Sequence, residues 1–188
     1  VTVGATRTTN LTNGTFDLNG FTYTTGLFNS SGSGVRTIAF GTSQISLSGN
    51  NTTIWDNGTA TNFAFTGTFK VVATYTGGVG GRTLNQGANT LAALQPISTT
   101  GSSGFILDTV STDSKSLSGV WGDVDLTGMS GSFVATTKIL YGNFNAGTTA
   151  TIGSGVNTTT FAATSGTKTI TTNGRTLDFM LTFNGVGG

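Results

Sequence analysis

The chain has 188 residues, enough for one domain with a real core, but only 8% of them are charged, against about a quarter in ordinary globular proteins. The net charge is +1 and the eight Lys and Arg are scattered, which argues against a nucleic-acid interface built on clustered cations. With no His and no Cys, disulfides, thiolate metal sites and the triads that need either residue are excluded, and every acidic residue is Asp.

Taken in order, the first residues, Val1-Thr2-Val3-Gly4, are not a signal peptide. The cassette Thr12-Asn13-Gly14-Thr15-Phe16-Asp17-Leu18-Asn19-Gly20 then sets a short alternating strand between two Asn-Gly turns. Both turn residues accept positive φ at little steric cost. Phe16 and Leu18 point one way and Asp17 the other. Strands rich in Thr, Val, Ile and Phe are predicted near 15–19, 21–24, 35–40, 44–48, 52–55, 61–66 and 69–75. A second group is predicted near 105–110, 120–127, 132–135, 138–144, 158–163, 168–171 and 175–183. Gly77-Gly78-Val79-Gly80-Gly81 reads as a flexible turn, not a phosphate cradle. The segment from Gly87 to Gly104 breaks the rhythm most, and within it Asn89–Pro96 has room for one short helical turn before Pro96 stops it. No apolar run approaches the roughly 20 residues of a membrane helix.

The end of the chain repeats its beginning. Gly4-Ala5-Thr6-Arg7-Thr8 with Thr12-Asn13-Gly14 parallels Gly166-Thr167-Lys168-Thr169-Ile170 with Thr172-Asn173-Gly174. In the closing strand Leu177, Phe179, Leu181 and Phe183 are expected on one face, with Asp178, Met180 and Thr182 opposite. No domain boundary is visible, so residues 1–188 are read as one β-rich domain cut from a longer repeating array. The predicted fold is all-β, a parallel β-solenoid with Asn-Gly and Gly-rich corners; a β-sandwich or jelly roll is the alternative. Low charge favours the solenoid, because like side chains stack about 4.8 Å apart between coils and equal charges there repel, whereas Thr and Asn stack well.

Four groups of residues are candidates for a site. Arg7, Arg36, Arg82 and Arg175 each precede Thr, and Arg36, Arg82, Arg175 and Lys168 each stand two before an apolar residue. That parity predicts corner cations bonded to loop carbonyls or an Asp; the functional alternative is a row of cations for acidic glycans. Asp123 and Asp125 flank Val124, about 7 Å apart on one strand face. They read as a solvated face, or else as a carboxylate pair for glycoside hydrolysis or Ca²⁺. Trp55, Trp121, Tyr23, Tyr75 and Tyr141 read as core caps with the polar tip outward, or else as sugar platforms. Sequons stand at Asn10, Asn13, Asn51 and Asn57, and Thr22-x-Thr24 and Thr169-x-Thr171 suggest irregular ice-binding ranks. No catalytic, cofactor-binding or metal residue is assigned.

Several segments in sequence order, Leu18-Asn19-Gly20, Val35–Thr42, Thr53-Ile54-Trp55-Asp56, Gly81-Arg82-Thr83-Leu84, Arg175–Phe179 and Thr182–Gly188, resemble β-helical repeats in structural proteins of tailed bacteriophages. The likeness covers residues 1–86 and 165–188; Met180 stands where that family often has Pro. The resemblance implies a non-enzymatic virion protein of a tail fibre, spike or other appendage, supporting host attachment. Its expected partners are further copies of itself, as a trimer or head-to-tail filament, other virion proteins and host surface glycans. The alternatives are a bacterial surface adhesin or secreted filament subunit and, behind it, a polysaccharide depolymerase. The expected location is the virion, or else the bacterial surface or medium.

Overall fold

The computed structural model describes residues 1–59, 61–68, 70–75, 81–87, 104–106 and 114–186. These residues wind into a parallel β-solenoid of about six turns, with no helix and no antiparallel strand pair among them. Thus no described helix is long and apolar enough to cross a membrane. Strands are numbered in chain order. Side one stacks β1 (Thr8–Asn10), β4 (Leu27–Asn29), β7 (Thr53–Asp56), β10 (Gly81–Asn85) and the start of β12 (Ser114–Trp121). It continues through β14 (Ser132–Phe133) to β17 (Thr151–Ile152). Side two stacks β2 (Gly14–Asp17), β5 (Arg36–Gly41) and β8 (Phe63–Gly67). Its position in the winding is held later by the end of β12, β15 (Lys138–Leu140), β18 (Gly155–Phe161) and β20 (Phe179–Phe183). Side three runs β3 (Tyr23–Thr25), β6 (Ile45–Leu47), β9 (Lys70–Ala73), β11 (Gly104–Ile106), β13 (Asp123–Asp125), β16 (Phe144–Asn145) and β19 (Ile170–Thr171).

Register follows the inward residues. On side one Phe28, Trp55, Leu84 and Leu117 lie in one ladder, and all four are buried. On side three Ile45 and Val71 are stacked in register, as are Val124 and Phe144, all buried. Rings follow the same logic: Phe28 stacks on Trp55 at 5.1 Å and 15°, and Phe161 on Phe183 at 5.5 Å and 17°. Stacked apolar ladders of this kind are the core, and each tier removes its neighbour's inner face from water.

The outward ladders are polar. At the end of side one Asn10, Asn29, Asp56, Asn85 and Ser118 lie in register. Asn29, Asp56 and Asn85 each accept, through Oδ1, the backbone N–H two residues on: Ser31 at 2.9 Å, Gly58 at 3.0 Å and Gly87 at 3.0 Å. Asn85 Nδ2 also donates down to Asp56 Oδ1, 3.3 Å, and Ser118 Oγ donates to Asn85 Oδ1, 3.1 Å. One short side chain thus turns the corner and ties two tiers, which is the role uncharged amides suit.

Two predicted Asn-Gly turns form as expected. Asn19-Gly20 has φ of 47° and 82°, Asn173-Gly174 51° and 77°, and each is closed by a 2.9 Å bond from the following N–H (Phe21 to Leu18 O, Arg175 to Thr172 O). They join strands on different sides and make corners, not hairpins. At Asn13-Gly14 only the glycine has positive φ, and at Asn184-Gly185 neither residue does. The apparent internal repeat is not a structural one: Thr8 lies in β1 on side one, whereas its sequence counterpart Ile170 lies in β19 on side three.

Other boundaries differ from expectation. β1, β4, β10, the first half of β12 and β17 were not predicted: β1, β4 and β17 have only two or three residues, too few to show alternation, whereas β10 does alternate and the sequence reading missed it. The predicted strand 120–127 breaks at Gly122, and 138–144 splits into β15 and β16 around Tyr141–Asn143. In 175–183 only 179–183 is strand; Leu177 and Phe179 are half-buried as expected, but Leu181 and Phe183 are exposed because no described strand pairs beyond β20. The predicted helical turn at 89–96, the turn at 77–80 and most of the 87–104 excursion lie outside the described residues.

Candidate functional site

Of the cations that parity predicted to face the core side, Arg36 and Arg82 are buried, whereas Lys168 and Arg175 are half-buried. Arg36 opens β5 fully buried. Nε donates to Gly34 O (2.8 Å), Nη2 to Thr59 O (2.9 Å) and Thr61 O (2.6 Å), and Nη1 to Ser30 Oγ (3.3 Å) and Asn57 Oδ1 (3.4 Å). All five guanidinium donors are therefore occupied by neutral oxygens, and the cation sits 5.7 Å from the Phe63 ring centre. Burial pushes its pKa below the usual value. Arg82, also buried, bonds Asn50 Oδ1 and lies 4.6 Å from the Tyr75 ring centre. Arg7 is exposed, and Arg175 is half-buried with its Nε lacking a hydrogen-bond partner among the described residues.

Lys138, at the start of β15, is a further buried cation that the sequence reading missed. Nζ donates to Thr136 O (2.7 Å) and Thr159 Oγ1 (3.4 Å), between the Phe133 and Phe179 rings at 5.1 and 5.7 Å. Desolvation pushes its pKa from 10.5 down to about 8. The signal was present: Lys138 stands two before the buried Leu140, the same spacing as in the arginines. These cations do not form a row. Arg36 opens a side-two strand, Arg82 lies in a side-one strand and Lys168 precedes side three, so a linear acidic glycan has no file of charges to follow.

Asp123 and Asp125 are half-buried on the outer face of β13, with Val124 and Leu126 buried as predicted. They are not merely solvated. Asp123 Oδ1 accepts from the backbone N–H (2.6 Å) and Nδ2 (3.0 Å) of Asn143. Asp125 Oδ1 accepts from Thr127 N–H (2.9 Å) and, in the next tier, Asn145 Nδ2 (3.1 Å). Both carboxylates splice β13 to β16. Among the described residues no group of three His, Cys, Asp or Glu side chains is placed to hold a metal ion.

The tryptophans correct the sequence expectation of outward polar tips. Trp55 and Trp121 are fully buried, and their indole N–H groups are held inside by Gln86 Oε1 (2.6 Å) and Ser118 O (3.0 Å). Tyr23, Tyr75 and Tyr141 are half-buried, and the Tyr23 hydroxyl pairs with Thr9 Oγ1 at 2.8 Å. Of the sequons, Asn10, Asn13 and Asn51 are exposed, but Asn57 is buried against Arg36 and is closed to a glycosyltransferase in the folded chain. No Thr rank forms at Thr24 or Thr171: the one ladder that holds both passes through Ser46, Val72, Ile106, Asp125 and Asn145.

A cavity of about 520 Å³ opens at the C-terminal end of the stack, lined among others by Leu140, Phe161, Ala163, Ile170, Phe183 and Gly185. Among the described residues its lining holds one charged side chain, Lys168, and no carboxylate. In comparison with known proteins the chain matched no family model, no curated protein and no solved structure.

Proposed function

We propose that the chain is a structural, non-enzymatic segment of a virion appendage, a tail fibre or spike of a tailed bacteriophage, that supports host attachment. The observation that supports this most directly is the use to which polar chemistry is put. Arg36, Asp56, Asn85, Asp123, Asp125 and Asn145 all bond between tiers or across corners. A winding so bonded resists bending and shear and holds its corner loops at fixed spacing. Seven strands on side three span about 29 Å at roughly 4.8 Å per tier. Such a rod carries loops away from a particle without needing a pocket.

The test is immunogold electron microscopy with antibody raised against the folded chain, on purified virions and on uninfected bacteria. Label on the appendages is expected. Label confined to bacterial surfaces or to free filaments would replace the virion reading with an adhesin or filament subunit, and turnover of host polysaccharide by the purified chain would overturn the non-enzymatic part.

A further inference from the structure

At the corner between β7 and β8 the residues Asp56-Asn57-Gly58 set three chemical groups against one another. Asn57 is fully buried. Its Oδ1 accepts from Arg36 Nη1 at 3.4 Å, while its Nδ2 has no hydrogen-bond partner among the described residues. Buried amide donors are seldom left so. The next N–H, that of Gly58, donates to Asp56 Oδ1 at 3.0 Å, and the same oxygen accepts from Asn85 Nδ2 at 3.3 Å. A Cβ at residue 58 would stand 2.8 Å from Asn85 Nδ2 and 3.2 Å from Asp56 Oδ1, so glycine keeps that nitrogen uncovered. Gly58 itself is exposed, and water reaches the corner from outside. A peptide nitrogen beside a carboxylate, an amide carbonyl under a guanidinium and an amide nitrogen that nothing holds are the parts of an Asn-Gly ring closure. At Asn173, by contrast, Nδ2 is held by Asn145 Oδ1 at 2.8 Å.

We infer that Asn57 matures to aspartate after the chain has folded, by ring closure onto Gly58 followed by hydrolysis. Closure asks only for rotation about the Asn57 Cα–Cβ and Cα–C bonds. Asp56 takes the Gly58 N–H proton as that nitrogen attacks Asn57 Cγ, and Arg36 Nη1 meets the oxyanion forming on Oδ1. The Cγ–Nδ2 bond then breaks, and the departing nitrogen takes the proton from Asp56 and leaves as ammonia, which gives the succinimide. Water adds to the same Cγ, the carbonyl that Arg36 polarises. The bond from Cγ to the Gly58 nitrogen opens, that nitrogen regains a proton, and the main chain is restored. In sum, the asparagine and one water give an aspartate and ammonia. Arg36 favours the product as well as the path. Its guanidinium is already desolvated and its five partners are neutral oxygens. A carboxylate at position 57 sets an opposite charge beside it and removes the unpaired donor. The pair ties the start of β5 to the corner that follows β7, so this part of the winding tightens as it ages. Burial closes Asn57 to other enzymes, but a self-reaction needs none. Such maturation does not depend on what the rod carries.

Peptide mass spectrometry on the full chain, sampled as it ages in neutral buffer, tests this, with Asn19 and Asn173 as internal comparators because each also precedes glycine. Position 57 should convert from amide to acid ahead of both, with an unbranched aspartate as product. That lead should vanish when the chain is aged unfolded in urea. Asp56→Asn removes the base yet keeps the corner, since Asn29 and Asn85 make the same turn in the same ladder. It should slow conversion on the order of 100-fold. Asn57→Asp supplies the product directly; it should fold and share the urea midpoint of fully aged wild type, above that of chain still carrying the amide. An Asn57 that keeps its amide longer than Asn19 or Asn173 in the folded chain overturns the proposal. So does an Asp56→Asn chain that converts at the wild-type rate, or an Asn57→Asp midpoint below that of the amide form.

Discussion

Arg36 is held by five neutral oxygens, three of them backbone carbonyls, so its charge is balanced by dipoles at that corner. Arg36→Met should therefore lower stability by about 3 kcal/mol, since it strands the acceptors of Gly34, Thr59 and Thr61. Arg36→Lys should recover little of it, because an ammonium has three donors and no fork. Urea denaturation of both variants reads the difference; a glycan-binding role predicts unchanged midpoints instead. Lys138 makes a second residue-scale prediction. Its folded pKa, about 8, lies below the 10.5 of an unperturbed lysine, so between those values the unfolded chain binds more protons. Stability should accordingly be lowest below pH 8 and rise as pH climbs toward 10.5, by about 3 kcal/mol at most. In Lys138→Met that rise should disappear, which denaturation midpoints at about pH 7.5 and about pH 10 would reveal.

At the scale of the element, two glycines with similar backbone angles do different work. Gly119, φ +89°, lies where β12 turns from pairing with β10 to pairing with β15, and a Cβ there would stand 2.0 Å from Gly87 O. Gly20, φ +82°, has nothing within 4 Å of the same position. Gly20→Ala should cost about 1 kcal/mol, the left-handed conformation alone. Gly119→Ala should cost several times that or prevent folding, because backbone, not a movable side chain, blocks the site. Thermal unfolding of the pair separates conformation from close approach. The strands flanking these glycines show what a sequence can reveal. Phe16–Leu18 and Val35–Phe40 were legible from alternation. Thr8–Asn10 and Thr151–Ile152 were not, because a strand of two or three residues is too short to alternate and is specified by the tier beside it. Gly119 was hidden for the same reason: in a run of Ser, Gly and Val, a corner glycine is indistinguishable from a loop glycine until the tier beside it is known.

At the scale of the whole molecule, the winding itself was legible in scarce charge, abundant Thr and Asn, and many short apolar runs. The corner cations were legible in part, from parity. The similarity of the two chain ends misled, since the same Asn-Gly cassette serves different corners. Nearest-neighbour stacking also makes stability uneven along the axis. Hydrogen exchange on the chain should find the slowest amides near Trp55, Leu84 and Leu117 and the fastest in β1 and β20, a gradient that uniform protection would contradict. The turn length carries a further consequence. Successive ladder partners are 18 residues apart from Lys115 to Phe133 but 34 apart from Val71 to Phe105, while the tiers stay paired. Girth is thus uncoupled from pitch: a turn can carry extra sequence and leave the rungs that flank it paired. Foreign peptides spliced into such a turn would be displayed along the shaft without disturbing its backbone.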